Sequence, residues 1–159
     1  MNAVYLETSA VLRWLLGERD APKIARCIQE TAEPLCSALT LVEVQRAVVR
    51  AERERPSRAR QLHLLRGQLG EASADWHLME ITPDIRIRAA EPFPNEPVRT
   101  LDAIHLATAL HFARVFPALP VLTFDERILR NLEPLGLTNA ITQQHPDPLG
   151  RRRHHREGP

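Results

Sequence analysis

The sequence predicts an α/β domain in three layers, a central and mainly parallel sheet with helices on both faces. Three observations predict it. Short apolar runs of strand length, each bounded by breakers, recur along the chain. Segments with apolar residues at helical spacing lie between them. The two kinds of segment alternate, which sets strands side by side in one direction with helices as the crossovers. A chain of 159 residues with 43% apolar content is long enough to bury one core, so a single domain is expected.

The elements follow in order. A first strand is expected over 3–6 (AVYL), ending at Glu7. A helix over 9–17 follows from Val11, Leu12, Leu15 and Leu16, and another over 21–32 from Ile24, Cys27 and Ile28. The second strand is read at 34–38 (PLCSA). Residues 39–54 place Leu41, Val44, Val48 and Ala51 at helical spacing, and Pro56-Ser57 restarts a helix over 57–70 with Leu62, Leu65 and Leu69. A third strand at 76–81 (WHLMEI) precedes a short helix at 83–90, which stops near Pro92 and Pro94 because proline cannot continue it. The clearest helical pattern covers 100–115, with Leu101, Ile104, Thr108 and His111 along one face and Thr100 as its cap. A fourth strand at 120–123 (PVLT), a helix at 125–132 and a fifth strand at 137–141 (LTNAI) complete one domain over 1–143. Residues 144–159 read as a basic, disordered tail, because their apolar content is too low to order them.

Composition excludes several classes. No apolar run approaches the roughly 20 residues a membrane helix needs, and no basic segment leads into an apolar stretch at the N-terminus. A cytoplasmic protein without a membrane partner is the expectation. Cys27 and Cys36 form neither a metal-ligand spacing nor a disulfide framework. The net charge of +1 is no nucleic-acid signature over the whole chain. It is uneven, however: the last nine residues, RRRHHREGP, carry a formal +3, which leaves the preceding 150 at −2. Lys23 is the only lysine, which excludes a receiver-type phosphotransfer site with its lysine after a late strand. A dehalogenase-type site wants a second aspartate two residues after the first acid, and position 9 is Ser. No glycine-rich phosphate loop, GxGxxG or GxxxxGK[ST], occurs.

Four acids have surroundings that call for an explanation. Glu7 ends the first strand, where an unpaired charge beside the core is costly. Glu43 interrupts the apolar stretch Leu39-Thr40-Leu41-Val42-Glu43-Val44. Asp102 opens the clearest helix, and Asp125 follows the fourth strand. Singly, each has a structural role available: Asp125 as a helix cap, Asp102 as a first-turn acid, Glu43 as a partner of Arg46 or Arg50. Together they lie at strand ends and helix starts of one parallel sheet, where ligands bind beyond the carboxyl ends of the strands. Their mutual repulsion would raise some of their pKa values, and a divalent cation relieves it. An oxygen-only ligand set suits Mg²⁺ or Mn²⁺, and the matching chemistry is phosphodiester hydrolysis.

The stretches YLETSAVL, LTLVEVQRAV, TLDAIHLATAL and VLTFDERI resemble, in order and spacing over about residues 3–140, the motifs of PIN-domain ribonucleases, and most of all those of VapC-type toxins. DAIHLATAL is the most specific piece. The resemblance implies a PIN-like α/β/α domain and metal-dependent RNA cleavage by Glu7, Glu43, Asp102 and Asp125, with Mg²⁺ or Mn²⁺ bound by those four. It implies an antitoxin partner, an RNA substrate and a homodimer. Thr123 falls where the family often has a hydroxyl near the metal, and Thr8 or Ser9 holds a water or the first acid. The Leu-rich helices at 9–17 and 39–70 offer docking and dimer surfaces. One residue departs from the pattern: the family has aspartate where this chain has Glu7, whose extra methylene reaches about 1.5 Å further. A second expectation follows, a weakened or inactive PIN-fold module that binds RNA or protein.

Other residues read less sharply. Arg46 and Arg50 beyond Glu43, and Arg99 before Asp102, either hold RNA phosphates or make surface ion pairs. His105 and His111 are expected to pack, with His105 reaching substrate only if its helix face borders the site. Trp14 and Trp76 are expected to pack rather than to stack on bases.

Overall fold

Strand β1 (Ala3–Leu6) is buried along its whole length, and its alternation builds both halves of the core. Ala3 and Tyr5 point to one face and Val4 and Leu6 to the other. A strand covered on both faces must be apolar on both, which is why AVYL reads as a continuous apolar run rather than as an alternation. The computed structural model of the chain describes residues 2–143. The basic tail expected over 144–159 lies outside the described residues.

The chain runs through α1 (Thr8–Leu15), α2 (Ala21–Glu30), β2 (Glu33–Ser37), α3 (Ala38–Glu54), α4 (Ala59–Ser73), β3 (His77–Met79), α5 (Pro83–Ala90), α6 (Thr100–Ala113), β4 (Pro120–Leu122), α7 (Glu126–Leu132), β5 (Thr138–Asn139) and α8 (Ala140–Gln143). A turn of 3₁₀ helix precedes α4 and another follows α7. The five strands form one sheet in the order β3-β2-β1-β4-β5, and every pairing is parallel. Tyr5 stands level with Leu35 on one side and with Val121 on the other.

The helices divide between the two faces. Val11, Ile24, Val44 and Leu69, from α1 to α4, pack with Val4 and Leu6. Leu106, Ala109 and Phe112 of α6, with Ile128 and Leu132 of α7, pack with Tyr5 and Val121. Trp14 and Trp76 meet with ring centroids 6.3 Å apart, as packing residues do. The fold is the expected three-layer α/β/α domain with a central parallel sheet.

The differences from the sequence reading are local. The run 137–141 pairs only at Thr138–Asn139 and then turns into α8, where Ala140 is buried against the α1 face. The run 76–81 pairs only over His77–Met79, as the edge strand next to β2. In α6 the buried residues are Ala103, His105, Leu106, Ala107, Thr108, Ala109 and Phe112, while Leu101 is 44% exposed. The face drawn through Leu101 and His111 is therefore not the core face. A helix buried over most of its circumference leaves its small residues against the sheet, and a pattern of large residues then misplaces the contact. The cap of α6 is Arg99, without a side-chain bond, rather than Thr100.

The proline-rich segment 91–99 is pinned to α7. Asn131 Oδ1 accepts from the Asn95 amide at 2.8 Å, and Asn131 Nδ2 donates back to the Asn95 carbonyl at 3.0 Å. The Glu96 carboxylate accepts from the amides of Phe93 and Val98. The segment that leads into α6, and so to Asp102, is thereby fixed to the helix that Asp125 caps. Among the described residues no helix is long and apolar enough to cross a membrane.

Leu6 is fully buried in the central strand. Leu6→Ala is expected to lower unfolding stability by about 2–5 kcal/mol, read from the midpoint of urea denaturation.

Candidate active site

The strand order places the site. From β1 the chain steps outward to β2 and β3, then crosses back to β4 on the other side. The switch point lies between β1 and β4, where the crossovers leave in opposite directions and open a crevice at the carboxyl ends. Glu7 follows β1 and Thr123 and Asp125 follow β4, so all three line that crevice. Asp102 reaches it from the first turn of α6 and Glu43 from the second turn of α3.

Glu7 continues the strand's extended backbone, with φ −87° and ψ 156°, and is only 5% exposed. It therefore points to the same face as Tyr5. Its Oε2 accepts from the Ser9 amide at 3.0 Å, from the Ser9 hydroxyl, and from Thr123 Oγ1 at 2.7 Å. The side chain thus caps α1, a task usually given to a shorter residue. Folding back onto Ser9 takes up the length of the extra methylene. Ser9 holds the first acid, as one of the two expected hydroxyls, and it also accepts the Phe124 amide at 2.8 Å, which ties β1 to the end of β4. Thr8 holds the second acid instead: its Oγ1 donates to Glu43 Oε2 at 2.5 Å. Thr123 Oγ1 accepts the Asp125 amide at 3.1 Å while donating to Glu7, so one hydroxyl connects two of the acids.

Glu43 meets His105, whose Nε2 lies 2.7 Å from Oε2. Burial acts to raise the Glu43 pKa, but the bonds from His105 and Thr8 and the His105 charge outweigh it and hold the carboxyl below its ordinary range. Neither Arg46 nor Arg50 pairs with Glu43 in this structure. Both are exposed, and among the described residues the ion-pair partner of Glu43 is His105.

Asp102 and Asp125 form the other half. Burial raises the Asp102 pKa, and the neighbouring Asp125 charge raises it further; a backbone hydrogen bond at Arg99 and the charges of Arg127 and Arg99 oppose this without cancelling it. Asp102 Oδ2 is buried and has no hydrogen-bond partner. Asp125 caps α7 through Oδ1, which accepts from the amides of Arg127 at 2.8 Å and Ile128 at 3.2 Å. Its role as a cap and its place in the crevice are both real, because capping uses one oxygen of two.

These residues fit a divalent cation in chemistry. The donors are carboxylate oxygens, and one of them is a buried, unpartnered oxygen beside a second acid. They do not form a closed cage: among the described residues no three His, Cys, Asp or Glu side chains are grouped so as to hold an ion. Glu7 and Glu43 are instead engaged by hydroxyl, amide and imidazole donors. An open arrangement of this kind suits Mg²⁺, which commonly takes one or two carboxylates and completes its shell with water and substrate phosphate.

Three residues were missed or misjudged in the sequence. His105 is 2% exposed and sits inside the site, while Tyr5 contacts it from below at 2.8 Å. Arg127 acts on Asp102 from the first turn of α7. The spacing of Asp102 and His105, three residues apart on one helix, was the available signal for the histidine. A cavity of about 740 Å³ between the amino ends of β2 and β3 and the last turn of α6 holds none of the four acids.

The Asp102 shift has a consequence for stability. A carboxyl whose folded pKa is raised contributes stability below its unfolded pKa and loses it as pH rises through the folded value. Asp102→Asn is expected to melt above the wild type at pH 7 without metal. That advantage disappears as pH falls below the ordinary carboxylate range, which thermal melts across pH 3–7 test.

Comparison with known proteins agrees with this architecture. The PIN domain family model matches residues 4–133. Ribonuclease VapC35 of Mycobacterium tuberculosis is 34% identical over 137 residues, covering 84% of this chain and 93% of that protein. Ribonuclease VapC46 of the same species is 30% identical over 138 residues, covering 86% and 95%. Among solved structures, a toxin-antitoxin complex from Klebsiella pneumoniae superposes with a TM-score of 0.59 at 18% identity, over 86% of this chain and 97% of that one. VapBC2 from Rickettsia felis, bound to a DNA fragment from its promoter, gives 0.61 at 11% identity with the same coverage. The crevice of acids at the switch point, the matched family model and the VapC relatives together place this chain in the PIN-domain family, among its VapC-type members.

Proposed function

We propose that the protein is a divalent-metal-dependent endoribonuclease and the toxin of a toxin–antitoxin pair. The observation that carries it is the Asp102–Asp125 pair at the switch point, with an oxygen that no protein donor satisfies. The relatives named as ribonucleases support the reaction class.

In this reading Asp102 and Asp125 hold Mg²⁺ or Mn²⁺, and Glu7 and Glu43 complete the acidic wall. Such an ion, when bound, would supply charge stabilisation for the phosphodiester oxygens and a more acidic water. Glu43 stays ionised at neutral pH because His105 and Thr8 hold its charged form, and it offers an acceptor for the proton of the attacking water. Ser9 and Thr123 fix Glu7. Arg127 and Arg99 offset the repulsion between the acids and an incoming phosphate; Arg46, exposed beyond Glu43, gives RNA a further contact.

The reading of Glu7 as the mark of a weakened binding module is not favoured. Its carboxylate remains in the crevice on Ser9 and Thr123, and the surplus length is absorbed by helix capping.

An antitoxin partner is supported by the solved neighbours, a toxin-antitoxin complex and VapBC2. Leu16, Val42 and Leu64 on the α1, α3 and α4 side are 48%, 57% and 61% exposed, an apolar surface that suits an amphipathic helix or a second copy of this chain.

The test is cleavage of total RNA with Mg²⁺ or Mn²⁺ against an EDTA control. The expected result is cleavage that EDTA abolishes and that Asp102→Asn lowers by on the order of 100-fold or more. Cleavage that persists in EDTA overturns the reading. Glu7→Asp is expected to retain metal-dependent cleavage with a changed preference between Mg²⁺ and Mn²⁺. Mn²⁺ at a hundred times its dissociation constant is expected to stabilise the fold by about 2.7 kcal/mol, read as a rise in Tm that Asp102→Asn removes.

A further inference from the structure

We propose that His105 is a positioning residue of the acidic site, seated on the Tyr5 hydroxyl so that its Nε2–H fixes the carboxylate of Glu43. The catalytic consequence rests on the nuclease reading; the placement of the ring proton does not.

His105 is 2% exposed, so it is shielded from both solvent and an incoming RNA strand. Its two ring nitrogens face different chemistry. Nε2 lies 2.7 Å from Glu43 Oε2 and 3.1 Å from Thr8 Oγ1. An ionised carboxylate only accepts hydrogen bonds, so the nitrogen facing it carries the proton. Nδ1 lies 2.8 Å from the Tyr5 hydroxyl. Tyr5 is fully buried, and burial, followed by the nearby Cys36 and Glu7, pushes its pKa well above the ordinary value, so the phenol keeps its proton. A protonated phenol can donate to Nδ1 or accept from it, so the Tyr5 hydroxyl seats that nitrogen in either arrangement, while the Glu43 carboxylate fixes a proton on Nε2.

The geometry links four elements: Tyr5 from β1, Thr8 from α1, Glu43 from α3 and His105 from α6. Thr8 and His105 both act on the same oxygen of Glu43, which sets the carboxylate before any ion or RNA arrives. The same Nε2 stands 4.0 Å from Glu7 Oε1, so one N–H dipole lies between two acids that would otherwise repel. The hydroxyl of Tyr5 thereby acts on the site through His105, at one remove from any substrate.

The experiment uses the full chain as wild type, Tyr5→Phe, His105→Gln and His105→Leu. Gln keeps an N–H donor near the position of Nε2, whereas Leu fills the space without one. Long-range ¹⁵N–¹H correlation on metal-free wild type is expected to show His105 with a proton on Nε2. In Tyr5→Phe, which changes only the side facing Nδ1, that proton is expected to remain on Nε2. A wild-type ring without a proton on Nε2 overturns the proposal, whatever the protein does to RNA.

For turnover, Leu is expected to lower kcat on total RNA by about 10- to 100-fold and to raise the Mn²⁺ concentration for half-maximal rate, with little change in RNA KM. Gln is expected to stay within about 3-fold of wild type, a rescue that loss of packing alone does not produce. Equal loss in Gln and Leu, or wild-type turnover in Leu, overturns it. If Leu does not fold, Gln and the spectrum still decide. A wild type that cleaves nothing removes the nuclease reading and leaves the spectrum to judge the Nε2 proton.

Discussion

Carboxylates converging on one end of a parallel sheet must be compensated, and the rest of this structure is arranged around how each one is. Glu7 is compensated by hydroxyls and an amide, Glu43 by a buried imidazole and a hydroxyl, and Asp125 by the two amides at the start of α7. Asp102 is the exception. One of its oxygens is buried and unpartnered, and its neighbour is another acid. An uncompensated buried oxygen costs stability unless a ligand supplies what the fold does not. The strained member of the set is thus the one placed best to take a cation.

The compensating groups also hold the fold together. Ser9 bonds to Glu7 and to the Phe124 amide, which links the ends of β1 and β4. Thr123 bonds to Glu7 and to the Asp125 amide. Asn131, fully buried on α7, clamps the segment before α6. The helix that Asp125 caps is therefore tied to the segment leading into the helix of Asp102 by a side chain outside the acid set. Site and scaffold share the same bonds, so a change in a hydroxyl here moves both activity and stability.

Glu7 shows how a longer residue is accommodated. Its extended backbone keeps it on the face of Tyr5, and its length is taken up by capping α1 through Oε2. The other oxygen is left facing His105. An aspartate at the same backbone position would reach less far into the crevice, so the two residues present a carboxylate oxygen at different depths.

Much of this was legible in the residues. AVYL and PVLT are largely apolar on both faces, as a sheet covered on both sides requires, and the longer helices were visible as a spacing, whereas α8 fell in a run read as strand. The four acids stood out because each interrupts or ends an apolar stretch. Other features needed the third dimension. Leu101 looks like core and is exposed, because small residues rather than large ones let α6 approach the sheet. Glu43 and Arg46 are a turn apart and do not pair, because the acid points inward to a histidine 62 residues away. The sequence by itself determined the layers and the parallel direction of the strands, and it singled out the four acids as candidates, since periodicity and interruptions of apolar runs are local properties. Only the tertiary structure decided which donor answers which acid, and that His105 and Tyr5 belong to the site, because those contacts join residues from four separate elements and no local spacing records them.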